Sequence, residues 1–142
     1  MRTLVAFLLA GPAIAQAPAY KPQPSDNLKQ VMRSVPLPNS DIIFEVQSKK
    51  PTNDMQWQSV EKAAIAIQET GNLILLPGRL RSNGQPVPVQ AADFVQFAQS
   101  LVTAGGKCRK AAQAKDLGAI ANCTDALSEA CDNCHKVYRD RP

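Results

Sequence analysis

Apolar residues recur along the chain three and four positions apart in four separate stretches, and no stretch shows the two-residue alternation of a half-buried strand. In the first, Leu28, Val31, Met32 and Val35 follow Ser25 or Asp26, either of which suits a helix N-cap. Pro36 and Pro38 interrupt the pattern, and Ile42, Ile43 and Val46 resume it from Ser40, so both pieces read as one interrupted helix A. Helix B starts within residues 52–54 and carries Trp57, Val60, Ala64, Ile67, Gly71 and Ile74 as a heptad seam, ending at Pro77-Gly78. Residues 78–88, with Gly, Asn and Pro, form a connecting loop. Helix C covers 89–115 through Ala91, Phe94, Ala98, Leu101, Gly105, Cys108 and Ala112. Its Gly105-Gly106 pair costs about 1 kcal/mol per Gly relative to Ala and admits the close approach of another helix or of a cofactor. Helix D follows almost at once with Leu117, Ile120, Thr124, Leu127, Cys131, Cys134 and Tyr138. Four amphipathic helices, the last two joined by a short turn, predict an all-α fold: an antiparallel four-helix bundle over residues 26–142.

The N-terminus departs from this pattern. Arg2, the apolar run from Leu4 to Ala10 and the small residues Ala13 and Ala15 read as a secretory signal peptide over residues 1–15, cut after Ala15. Residues 16–25 are polar and Pro-rich and read as a leader. No segment approaches the roughly 20 apolar residues that a membrane-spanning helix needs. These features predict a soluble protein of the periplasm or another exported compartment. The formal charge of +4, one unit of which is Arg2, comes with no basic cluster, which speaks against nucleic acid and permits docking with an acidic protein. Aromatic residues make up only 5% of the chain, so its core is filled by aliphatic side chains or partly by a non-protein body.

Cys131-Asp132-Asn133-Cys134-His135 is a CxxCH motif. Two thiols three residues apart lie on one face of a helical turn, spaced to add to the two vinyl groups of a haem as thioethers. The adjacent imidazole then falls beside the iron as an axial ligand, which is the arrangement of c-type haem attachment. Two other readings use the same residues. A redox dithiol normally accompanies a βαβ pattern, which is missing here. A zinc staple would draw four ligands from Cys108, Cys123, Cys131, Cys134 and His135, but Cys108 and Cys123 do not form the close pair of a zinc knuckle.

The motif lies near the end of the chain, on the fourth helix. In this position, and in the run Ala114-Lys115-Asp116, Leu127, Ala130, Cys131, Cys134, His135, Tyr138 and Arg139, the chain resembles the class II cytochromes c, the family of cytochrome c-prime and its low-spin relatives. The resemblance spans residues 26–141, resting on helix pattern alone outside that run. It implies a four-helix bundle with one haem c on the last helix, attached through Cys131 and Cys134, with His135 as proximal iron ligand. The chain departs from the family at Pro36 and Pro38, which break helix A, and in its two additional cysteines.

His135 is the only histidine, so it leaves no second histidine for the other face of the iron. Met32 on helix A matches the methionine ligand of the low-spin relatives, and Met55 is a weaker candidate; otherwise that position is open. Arg33 and Arg139 are candidates to pair with haem propionates, with solvated surface charge as the alternative. Trp57 and Tyr138 line either the haem or the core. Cys108 and Cys123 are equidistant from the turn between Lys115 and Asp116, which places them at one height across helices C and D and predicts a disulfide. The leading expectation is a monohaem electron carrier between extracytoplasmic redox proteins, matured by haem-attachment machinery and not an enzyme. The alternative is a five-coordinate haem protein that binds NO or CO. The family implies a homodimer through its first two helices, an inference that Pro36 and Pro38 weaken.

Overall fold

The structure is a computed structural model and describes residues 20–140. The signal-peptide reading, residues 1–15, lies outside the described residues. Five helical segments occur in the order α1 (Leu28–Ser34), α2 (Pro36–Glu45), α3 (Asp54–Leu73), α4 (Ala92–Ala114) and α5 (Leu117–Tyr138). The fold is all-α, its helices packed together as neighbours along the chain: α2 on α3, α3 on α4 and α4 on α5, with a thinner contact from α5 back to α2. No helix of the described residues is long and apolar enough to cross a membrane.

Local chemistry sets each boundary. Asn27, rather than Ser25 or Asp26, caps α1: its side chain accepts from the Gln30 amide, and the Gln30 side chain accepts from the Asn27 amide, closing a capping box. The helix breaks at Val35, but Pro36 and Pro38 do not form a gap. They fall in the first turn of α2, where an amide has no helical partner to lose, so α2 begins four residues before the expected Ser40. Helix α3 is capped by the Asn53 side chain and stops at Leu73, short of Pro77. Helix α4 starts at Ala92, after Val89–Ala91 have made turn-type hydrogen bonds instead of helical ones. Lys115 ends it with φ +53°, the left-handed conformation that reverses the chain, and Asp116 caps α5 by accepting from the Ala119 amide.

The larger core joins Ile43 of α2 and its C-cap Val46, Trp57, Val60, Ala64 and Ile67 of α3, Leu101 and Cys108 of α4, and Ile120, Cys123 and Leu127 of α5. Small residues let α3 and α4 touch backbone to backbone. A Cβ on Gly105 would stand 2.5 Å from the Gln68 amide nitrogen, and one on Gly71 would stand 2.5 Å from the Ala98 carbonyl oxygen. The glycine at 105 therefore admits a helix, not a cofactor.

The predicted disulfide is present. Cys108 and Cys123 are bonded with Cα atoms 5.2 Å apart, both essentially fully buried. Contacts between the last two helices pair early residues of α4 with late residues of α5: Phe94 meets Tyr138, while Cys108 meets Cys123 nearer the turn.

Candidate functional site

Cys131, Cys134 and Tyr138 stand at i, i+3 and i+7 on α5, one stripe along the helix. Tyr138 packs edge-on against Phe94, with centroids 5.1 Å apart, and against Phe97 at 6.2 Å. Its hydroxyl donates to the Asp93 carboxylate at 2.8 Å, so the stripe is turned toward the start of α4. The two thiols are half-buried and unbonded to each other. His135 lies on the flank of the stripe and is exposed.

Two fixtures bracket the motif along α5. Below it the disulfide ties Cys123 to α4. Above it the loop between α3 and α4 grips the helix end: Arg81 donates to the Tyr138 carbonyl and pairs with Asp140, whose carboxylate also accepts from Ser82 and Asn83. A Leu80–Pro86 bridge and a turn at Gly84 (φ +82°) shape that loop, a conformation glycine adopts without steric cost. The sequence reading leaves residues 78–88 as a plain connection. The Asn83-Gly84 turn signal between Arg81 and Val87 is the feature that marks a hairpin-like clasp.

A second apolar cluster occupies the same end of the molecule. Ile74, Val87, Phe94 and Ala98 form its centre, and Leu28, Met32, Leu75, Val89, Ala91 and Tyr138 pack around them. Met32 and Tyr138 thus share one cluster, bringing the candidate distal ligand and the end of the motif helix to a common group of side chains. Met55 and Trp57 lie elsewhere. Both stand in the first turn of α3 or close to it, where Asp54 pairs with Lys115 at the far end of α5 from the motif. Trp57 is part of the larger core, and Met55 is 79% exposed. The two arginines suggested for propionates are not together. Arg33 lines a crevice beside α1, whereas Arg139 is the exposed C-cap of α5.

The titration of the motif bears on its chemistry. Burial, with the nearby Cys131 and Asp93, pushes the Cys134 thiol up to about 11, and burial with Asp132 raises Cys131 as well. A redox dithiol has the opposite character, a thiol shifted down so that the nucleophilic thiolate is populated at neutral pH. Partial desolvation of its ring, and after it Arg139, lowers His135 and so favours the neutral imidazole, the form that ligates a metal. The zinc alternative loses two of its donors to the disulfide. Among the described residues no group of three or more His, Cys, Asp or Glu side chains is placed to hold a metal ion.

The donor set fits a covalent haem. Two unbonded thiols stand one helical turn apart, an imidazole follows the second, and a cluster containing Met32 adjoins the helix end. In comparisons with protein-family models, curated proteins and solved structures, nothing matches the chain.

Proposed function

We propose that the protein is an exported monohaem cytochrome of class II, an antiparallel four-helix bundle that carries electrons between extracytoplasmic redox proteins. The observation that carries this reading is the division of its four cysteines. Cys108 and Cys123 are consumed by a disulfide, leaving Cys131 and Cys134, next to the only histidine, as the two unbonded thiols.

When bound, the haem supplies an iron that cycles between ferric and ferrous states. Each role left to the chain falls to a named residue. Cys131 and Cys134 would anchor the group through their sulfurs, and His135 would offer a ring nitrogen to its iron. Met32, from the cluster shared with Tyr138, would supply a thioether donor to the iron, a ligand type that raises the reduction potential. The Cys108–Cys123 disulfide ties α5 before the motif, and the Asp93–Tyr138 bond with the Arg81–Asp140 clasp fixes its last turn after it, so the motif is held at both ends. A rigid mount suits electron transfer because little reorganisation then accompanies the change of charge. Maturation by haem-attachment machinery outside the cytoplasm accords with the signal-like N-terminus.

The test is haem staining after denaturing electrophoresis of the full chain matured in a haem-attaching host. The expected result is a stained band that Cys131→Ala/Cys134→Ala abolishes and Cys108→Ala/Cys123→Ala keeps. An unstained native band overturns the reading. Absorption spectra with and without CO then separate a Met32-bound iron, which CO leaves unchanged, from an open position that takes CO or NO.

A further inference from the structure

A second candidate site shares no lining residue with the haem motif. A crevice of about 570 Å³ runs between the chain entering α1, α1 itself and the end of α3, and none of its lining residues comes from α4 or α5. Val31, Val35, Leu73 and Leu76 give it apolar walls; Arg33 and Arg79 supply positive charge, and the exposed Asp26 is the one acidic residue of the lining. Its size lies within the usual range for small-molecule pockets, about 300–1,000 Å³.

Arg79 is the unusual member. It is only 3% exposed, and the backbone bond from Val87 to its carbonyl holds it in the clasp loop. One guanidinium nitrogen, Nη1, donates to the Asp26 carbonyl at 2.6 Å, but Nε is buried with no hydrogen-bond partner among the described residues. No ion pair among the described residues includes Arg79. Burying a guanidinium without an anion leaves its desolvation uncompensated, so buried arginines are normally met by a carboxylate or phosphate. The chain before Asp26 supplies none, because residues 1–25 contain no Asp or Glu.

We infer that this crevice binds a carboxylate on an apolar body, with Arg79 as the buried anchor and Arg33 at the rim. A planar fork of donors suits a carboxylate better than a point cation would. The chemistry has two sources. One is a separate small monocarboxylate. The other, which rests on the haem reading above, is a propionate of the attached haem.

The experiment uses the full mature protein with its haem, and octanoate as probe, with octanamide as the uncharged control. Thermal unfolding followed by circular dichroism and isothermal titration read binding; the reduction potential is measured against pH in parallel. Saturable stabilisation by octanoate but not octanamide, weakened about tenfold or more by Arg79→Gln and partly restored by Arg79→Lys, establishes a separate ligand. No effect of octanoate, together with a pH dependence of the potential that Arg79→Gln shifts, assigns the carboxylate to the haem. Failure of both arms overturns the inference. Should Arg79→Gln not fold, the exposed Arg33→Gln replaces it in both arms, with a weakening of a few-fold expected. A chain that takes up no haem still answers the octanoate arm, so the loss of one reading is distinguishable from the loss of the other.

Discussion

Two adjacent glycines in α4 are expected to respond to alanine in opposite directions. At Gly105 a new Cβ would sit 2.5 Å from the Gln68 nitrogen, 2.8 Å from its Cα and 3.0 Å from the Ala64 carbonyl oxygen. Ordinary contact begins near 3.5 Å, so α3 and α4 must part by about 1 Å, and the neighbours are helix backbone that has no rotamer with which to move aside. Overpacking of this kind costs about 1–3 kcal/mol. The upper part of that range applies here, against which the helix gains about 1 kcal/mol from replacing glycine. The net expectation for Gly105→Ala is a loss of about 2 kcal/mol. At Gly106 the same Cβ meets only the end of the Gln68 side chain at 3.9 Å, an ordinary contact. The propensity gain then stands alone, and Gly106→Ala stabilises by about 0.5–1 kcal/mol. For a chain of this size 1 kcal/mol moves the thermal midpoint by about 4 °C, which predicts a fall of about 8 °C for the first variant and a rise of about 3 °C for the second. Circular dichroism at 222 nm with heat, and urea unfolding at constant m, measure both. Two shifts of the same sign, or a Gly105→Ala protein as stable as the parent, would refute the claim that the helices meet backbone to backbone at this point.

Replacing both disulfide cysteines, Cys108→Ala/Cys123→Ala, is expected to cost about 3 kcal/mol, the loop-closure value for a bridge of sequence separation 15; an unchanged urea midpoint would contradict it. Met32→Ala is expected to convert a low-spin ferrous spectrum that ignores CO into one that shifts with CO, and Met55→Ala to leave it unchanged; the converse result moves the distal ligand away from α1. The Asp140 carboxyl is held below its ordinary 3.8 by the Ser82 hydrogen bond, with Arg81 and the Asn83 backbone adding to it against the opposing effect of burial. Because the folded value lies below the unfolded one, the clasp's contribution is fully present above about pH 3.8 and disappears as pH falls through the folded value. Protection of the amides at the end of α5, relative to their intrinsic exchange rates, is therefore expected to hold at pH 4 and to fall below it, and Asp140→Asn to lower it already at neutral pH.

Much of the fold was legible because helical periodicity is a local property of the chain. Leu28, Val31, Trp57, Ile67, Phe94, Leu101, Ile120 and Leu127 mark their faces by spacing alone, and four of the five helical segments end within a few residues of the positions where caps and prolines place them. The Cys108–Cys123 bridge was legible for a related reason: a tight turn between two straight helices makes height along the hairpin a matter of counting residues. The entry to α2 was misread because a proline's effect depends on its position in a helix. Pro36 and Pro38 disrupt an interior, yet fit a first turn once Val35 has broken the chain.

The sequence by itself determined the helical class, the CxxCH motif and the pairing of the other two cysteines, all of which depend on residue identity and separation along the chain. Only the tertiary structure decided what those elements meet. It set Gly105 against the backbone of α3, removed Trp57 and Met55 to the end away from the motif, and joined Met32 with Tyr138 in one cluster. It also buried Arg79 without an ion pair among the described residues and closed Arg81 on Asp140. These outcomes arise between residues tens of positions apart, where burial and the search of each polar group for a partner, rather than periodicity, choose the contact.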